Sequence, residues 1–285
     1  MAEQNLQIAY SGVQGAFAQI AAGKIFPKAE LKSFASFRQA YEEVEKHNCD
    51  YAVLPIENSY AGEVAQVTDL LYGGTLKIVG IFELPVVHNL LGTEGSELSQ
   101  IKTVYSHPQA LDQCSEYIYL HGFEKRVATN TASAAKEVAF LKDPSLAAIA
   151  SEETAEIYGL KVLDRAINES ESNTTRFVVL SSGKEPESRE QRKLFERKEA
   201  FTVILIVKNE AGAVARAITT IGDYGFNMRT LRSRPQKNLL WSYYFYIEGE
   251  GNLDSVTGLN MLKALEENCE SIKILGNYPA DVILT

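Results

Sequence analysis

Up to residue 180, short apolar segments rich in β-formers alternate with stretches of helical periodicity, and this rhythm constrains the fold most. Strands are expected over residues 6–10, 50–54, 76–82, 101–105, 126–128, 146–150 and 176–180. Helices are expected over 17–25, 36–46, 108–120, 132–141 and 152–158. A parallel neighbour can be reached only by a long crossover, which a helix supplies, so this order implies a mostly parallel α/β sheet with right-handed connections. Ligands of such open sheets bind beyond the carboxyl ends of the strands. Chemistry is therefore sought at those ends.

Residues 181–200, SSGKEPESREQRKLFERKEA, form the most polar stretch and read as a solvated connection. Beyond them, strands are expected over 201–208, 230–235, 240–247 and 272–278, with helices over 213–222 and 253–266. That βαββαβ order is ferredoxin-like, a small open sheet with both helices on one face and an edge suited to pairing with another copy. A length of 285 residues fits one larger and one smaller domain. Lys and Arg total 28 against 37 Asp and Glu, a net charge of −9 that repels a phosphate backbone, so nucleic acid is not an expected partner. No apolar run approaches the roughly 20 residues that cross a bilayer, and MAEQNLQIAY is no signal peptide. The three cysteines, Cys49, Cys114 and Cys269, lack CxxC spacing and read as reduced small hydrophobes. A cytoplasmic protein is expected.

Polar clusters fall where the strands stop. After the first strand, Gly12 and Gly15 permit a tight loop before a helix whose N-terminus favours an anion; a plain strand-to-helix turn fits equally. The full GxGxxG is absent, so a dinucleotide site is not supported. After the second strand comes PIENSYAG, whose amide and hydroxyl density suits a ligand loop or an Asn-capped turn. Its one carboxylate, Glu57, is either a buried proton donor or a partner for a backbone amide. Ser106, His107 and Pro108 read as a helix start with Ser106 as N-cap, and 130–133 as another. His88 lies in an apolar strand, a setting commoner for core residues than for catalysts. Along the last strand, Thr175 and Phe177 share one face and Arg176 takes the other.

Gly15 with Phe17 (GxF), PIENSxxG at 55–62, HxLL at 88–91, SHPQAL at 106–111 and NxTRF at 173–177, followed by the βαββαβ tail, resemble prephenate dehydratase. The resemblance spans the chain, the tail resembling the family's ACT regulatory domain. It implies a catalytic domain over 1–182, built as two α/β lobes around a cleft in the manner of a periplasmic solute-binding protein. The lobes would hold about 1–80 plus 160–180, and 81–159; a linker would run over 183–199 and the ACT domain over 200–285. The implied reaction converts prephenate to phenylpyruvate with loss of carbon dioxide and water. Arogenate dehydratase and a non-catalytic small-anion sensor are the alternatives.

The resemblance makes Thr175 the catalytic residue, acting as a polarised, relayed hydrogen-bond donor because a threonine hydroxyl is a poor formal acid. It implies substrate contacts from Gly15, Phe17, Asn58, Ser59, Ser106, Gln109, Arg176 and Phe177, donors set against a dianion in an acidic protein. The roles of Glu57, His88 and His107 in proton transfer are open. Aromatisation drives the reaction, so no cofactor or metal is expected. Phenylalanine would be the allosteric effector, held by Asn209, Ala211, Gly212, Ala213, Val214, Ser233, Arg234 and Pro235 at an interface of a homodimer or homotetramer. Two departures from the family pattern stand out: Ala211 replaces a proline, and Arg232 replaces a glutamate where an ammonium group should dock, which implies weaker or altered phenylalanine control.

Overall fold

The computed structural model describes residues 6–170, 172–183, 192–193, 195–237, 239–280 and 282–284. The chain opens with β1 (Gln7–Ser11), α1 (Phe17–Ile25), β2 (Glu30–Phe34), α2 (Phe37–Glu45), β3 (Tyr51–Asn58), β4 (Gly62–Glu63), α3 (Ala65–Gly73) and β5 (Lys77–Pro85). There follow β6 (Asn89–Gly92), β7 (Thr103–Ser106), α4 (Pro108–Gln113), α5 (Ser115–His121), β8 (Glu124–Val127), α6 (Thr131–Leu141), β9 (Leu146–Ala150), α7 (Glu152–Tyr158), β10 (Lys161–Asp164) and β11 (Thr174–Ser181). The tail holds β12 (Ala200–Val207), α8 (Ala213–Asp223), β13 (Met228–Pro235), β14 (Tyr243–Glu250), α9 (Val256–Leu265), β15 (Cys269–Tyr278) and the short β16 (Val282–Ile283).

Three mixed or antiparallel sheets result. The first has the order β16-β5-β11-β3-β1-β2 with β4 hairpinned onto β3, the second β10-β6-β9-β7-β8, and the third β13-β14-β12-β15. β1 runs parallel to β2 and β3, and β7 to β8 and β9, the helical crossovers supplying these pairings. β6 and β10 enter antiparallel. Helices cover both faces of the second sheet, since Val104 and Ile149 join one buried cluster while their neighbours Tyr105 and Ala148 join another. Such two-sided burial is why strands like Tyr51–Asn58 read as continuous apolar runs.

Several expectations are revised. Residues 161–164 pair with β6 in the second sheet, not with the first as the expected lobes had it. The helix expected over 108–120 breaks at Cys114 (φ −117°, ψ 20°) into α4 and α5. Helix α3 had no counterpart in the sequence reading. The connection expected over 183–199 lies largely outside the described residues.

The tail follows the βαββαβ order, with Phe201, Val203, Leu205 and Ile247 packed against Ala217 and Ile221 of α8 and Met261 and Leu265 of α9. Contacts divide the chain into two compact units, one reaching Val67 and including Phe82–Phe177 and the C-terminal residues, the other Thr68–Ile81 with Val178–Val282. All three cysteines are free and buried. Among the described residues, no helix is long and apolar enough to cross a membrane.

Candidate active site

β11 begins beside the end of β3, where Ser59 N–H donates to the Thr174 carbonyl at 2.9 Å. This pairing sets Asn58 against the NTTRF segment. Asn58 is 7% exposed, and every polar atom of its side chain is engaged. Its Oδ1 accepts from the backbone N–H groups of Tyr60 (3.1 Å) and Ala61 (2.9 Å) and from Gln109 Nε2 (2.9 Å). Its Nδ2 donates to Asn173 Oδ1 (2.9 Å), the Thr174 carbonyl (3.2 Å) and Thr175 Oγ1 (2.9 Å). Because the Thr175 oxygen accepts here, its own O–H proton remains to donate elsewhere, and among the described residues it has no acceptor.

Gln109 lies in the first turn of α4, which Pro108 opens behind the N-cap His107. Gln113 lies four residues on, one turn along the same helix face. Its Oε1 accepts from Asn173 Nδ2 (3.0 Å) and faces His88 Nε2 at 2.8 Å. The Phe17 ring meets the His88 ring edge-on, 5.9 Å between centroids. Burial lowers the pKa of His88, the Gln113 contact opposing only in part, and burial lowers that of His107, so both are neutral at neutral pH. Asn58, Asn173, Thr175, Gln109, Gln113 and His88 thus form a cluster of neutral donors and acceptors. The reading of the sequence missed Gln113, although its i+4 spacing from Gln109 was a usable signal.

Other expected residues fall elsewhere. Side chains alternate along β3 and β11, so Glu57 and Arg176 leave on the face opposite Asn58 and Thr175. Arg176 Nη1 lies 3.1 Å from Glu57 Oε2, and its Nε 3.9 Å from Glu83 Oε1. The expected cation for the substrate is therefore committed to carboxylates. Phe177, 1% exposed, sits in the core and not on a pocket wall. Ser106 is the last residue of β7 and no N-cap; its hydroxyl, fully buried, donates to the Ile149 carbonyl at 2.6 Å. Ser59 Oγ bonds the Ser172 carbonyl (3.0 Å) and accepts from Thr174 N–H (3.0 Å). Gly15 takes φ +87°, its N–H donates to Gln19 Oε1, and its carbonyl accepts from Thr154 Oγ1 at 3.0 Å. That loop is occupied by its own neighbours. Among the described residues, no three His, Cys, Asp or Glu side chains gather as metal ligands.

In the tail, Asn209, Ala211 and Gly212 are exposed, Ala213 is buried and Val214 half-buried, with Gly212 at φ +81° as the N-cap of α8. Ser233 and Pro235 are exposed on β13. Leu205, Phe245 and Ser233 align across β12, β14 and β13, so the loop after Val207 and the 233–235 segment leave the same end of the sheet. Arg234 Nη2 pairs with Asp69 Oδ1 at 3.0 Å, and its Nε bonds the Tyr244 hydroxyl at 3.1 Å. The Arg232 guanidinium lies over the Tyr246 ring, 5.4 Å from its centroid.

The family model for prephenate dehydratase matches residues 8–185. An arogenate dehydratase/prephenate dehydratase 2 of Arabidopsis thaliana is 34% identical over 98% of this chain and 74% of its own length. A solved prephenate dehydratase from Arthrobacter aurescens in complex with L-Phe matches with TM-score 0.85 and 27% identity, covering 97% of this chain and 93% of that one. A solved structure described as a novel type of quorum-quenching acylase matches with TM-score 0.86 and 30% identity, covering 96% of this chain and 98% of that one.

Proposed function

The chain belongs to the prephenate dehydratase family, and from that premise we propose that Thr175 assists loss of the ring hydroxyl as prephenate collapses to phenylpyruvate. As the ring carboxylate departs as carbon dioxide, its C–C electron pair enters the ring and the C–O bond opposite breaks. The hydroxyl leaves as water once it has gained a proton. Prephenate dianion and one proton thereby yield phenylpyruvate anion, carbon dioxide and water.

The observation that carries this reading is the Asn58 amide donating to Thr175 Oγ1 at 2.9 Å. A hydroxyl that already accepts a hydrogen bond is a stronger donor, so its proton is polarised toward an oxygen that develops negative charge. The neutral amides around it supply dipoles for the substrate carboxylates where Arg176 is committed. Acyl transfer, which the acylase likeness raises, needs a nucleophile paired with a base. Among the described residues, neither Thr175, Ser59 nor Ser106 bonds an imidazole or a side-chain carboxylate.

Several further assignments are part of this proposal. Residues 1–182 would form the catalytic domain, 183–199 the linker and 200–285 an ACT regulatory domain that joins copies into a dimer or tetramer. Phenylalanine would be the effector, a reading supported by the 209–214 and 233–235 segments at one sheet end, where Asn209, Ala211, Gly212, Ser233 and Pro235 are exposed, and by the L-Phe in the Arthrobacter relative. A cytoplasmic location is a further part of this proposal.

Purified protein given prephenate should develop the absorbance of the phenylpyruvate enol. Arogenate in a parallel reaction should yield phenylalanine if it is the better substrate. Thr175→Ala should lower kcat by roughly 10²–10⁴-fold, the range of positioned proton donors, and Thr175→Ser should restore most of it. Full turnover by the alanine variant would remove Thr175 from the mechanism; no turnover of either substrate by the parent chain would leave the sensor reading.

A further inference from the structure

We infer that His88 is a positioning residue for Thr175, acting through Gln113, Asn173 and Asn58. Two backbone groups fix the network from one end. The N–H groups of Tyr60 and Ala61 both point at one terminal atom of the Asn58 side chain, which must be its oxygen. The amide nitrogen of Asn58 then faces Asn173, so the Asn173 atom at 2.9 Å must be Oδ1. Its Nδ2 in turn points at Gln113, whose receiving atom at 3.0 Å must be Oε1. That same oxygen lies 2.8 Å from His88 Nε2, which can only donate. Reversing any one amide would set two donors or two acceptors face to face. Two backbone amides thus dictate the protonated nitrogen of a histidine three side chains away.

The imidazole itself is held in place. Its backbone N–H bonds Asn168 Oδ1 (3.1 Å), its carbonyl accepts from Ile167 N–H (2.9 Å), and its ring stands on the edge of Phe17. The residue is 2% exposed. No charged group is among these neighbours, and burial keeps the ring neutral. Two buried polar atoms of this network have no hydrogen-bond partner among the described residues, His88 Nδ1 and Gln113 Nε2. The bare Nδ1 is what the Nε2–H tautomer requires. Removing the His88 donor leaves Gln113 Oε1 half-satisfied and free to rotate, and Asn173 loses its fixed orientation; Asn58, its oxygen held by Tyr60 and Ala61, keeps its place but no longer has a fixed acceptor beside its Nδ2. Since Asn58 aims the Thr175 hydroxyl, the loss is felt at the reacting oxygen. The inference rests on the proposed role of Thr175 and assigns that role its support.

Three variants and one spectrum test it on the full chain. His88→Leu, isosteric and without a donor, should lower kcat roughly 10²-fold with KM little changed, the cost of misplacing a group near the chemistry. His88→Gln, whose amide can present an N–H near the Nε2 position, should recover most of the rate. Gln113→Glu keeps an acceptor for both the His88 Nε2–H and the Asn173 Nδ2–H, and should therefore keep most of the rate. Long-range ¹H–¹⁵N spectra of the four histidines, assigned with the His88 variants, should show the Nε2–H tautomer at His88. An Nδ1–H tautomer, an undiminished kcat in His88→Leu, a His88→Gln as slow as His88→Leu, or a Gln113→Glu as slow as His88→Leu would each overturn the inference. A parent chain inactive on both prephenate and arogenate would defeat the functional reading alone, and the tautomer would still decide the orientation of the amides.

Discussion

Asn58 does two jobs with one amide: its oxygen is pinned by the backbone of its own loop, and its nitrogen serves Thr175. Asn58→Asp separates them. The carboxylate keeps the shape and still accepts from Tyr60, Ala61 and Gln109, but it presents an oxygen to Thr175 Oγ1 and to Asn173 Oδ1. Thr175 then turns its proton toward the new carboxylate and away from substrate. Losing one preorganised donor predicts a kcat lower by roughly 10²–10³-fold. Acceptors left facing acceptors predict a stability loss of about 1–3 kcal/mol, read from urea unfolding. Undiminished turnover would show that the amide does not aim the hydroxyl. Strand alternation alone made it legible that Thr175 and Arg176 look opposite ways. What it could not reveal is the partner each side chain meets, since Glu57 lies 119 positions from Arg176 in the chain. The motif resemblance therefore grouped Arg176 with the substrate donors, while the structure pairs it with carboxylates.

Elements with strong internal signals were readable to their ends: α1 and α7 run over the expected 17–25 and 152–158, the latter with Ser151 capping Thr154 N–H. Helix α3, AQVTDLLYG, carries β-branched residues and a terminal glycine, and what it packs against decides its state. The decisive partners lie on the tail's sheet. Tyr72 stacks on Tyr244 with centroids 4.2 Å apart, Lys273 Nζ donates to the carbonyls of Leu71 (2.8 Å) and Tyr72 (2.9 Å) at the helix end, and Gly276 gives passage to the Ile78 carbonyl, 2.0 Å from where a Cβ would stand. Asp69 completes the clamp. Burial alone would raise its carboxyl pKa, but hydrogen bonds from Lys237, Tyr244 and Arg234 outweigh that and hold it below the usual carboxylate range. A depressed folded-state pKa stabilises the protein above the unfolded value, near 3.8, and that stabilisation is lost as pH falls through the folded value. Asp69→Asn should therefore cost about 2 kcal/mol at neutral pH, the scale of hydrogen bonds to a charged group, with the gap to the parent closing on acidification below about pH 4. Urea midpoints across pH decide it; a gap that stays constant down to acid would mean the carboxylate is not the stabilising partner.

At the scale of the whole chain, the polar run after residue 181 marked where a new core begins, but not which residues share that core. Residues 68–81 group by contact with the tail although more than 100 residues of chain intervene. Local periodicity shows that a sheet has an apolar face and is silent on what comes to cover it. The same limit applies to Arg232. Judged from the motif alone, a cation in place of glutamate should repel an ammonium ligand. In the folded tail its guanidinium lies over Tyr246, whose hydroxyl donates to Glu248 Oε1 at 2.7 Å, and Glu248 is 2% exposed. The positive charge is thus met within its own sheet. Arg232→Glu, which restores the family pattern, would place a second carboxylate beside a buried one. It should destabilise the protein by about 3 kcal/mol, the scale of an uncompensated buried charge, and should not tighten phenylalanine binding. The parent chain, on the proposed reading, should gain about 2.7 kcal/mol at phenylalanine a hundredfold above its Kd, visible as a rise in Tm. Calorimetric titration and melting curves of both proteins separate the ideas. Tighter binding by Arg232→Glu at unchanged stability would show that Arg232 is an exposed repulsive charge, and a parent Tm indifferent to phenylalanine would remove the effector.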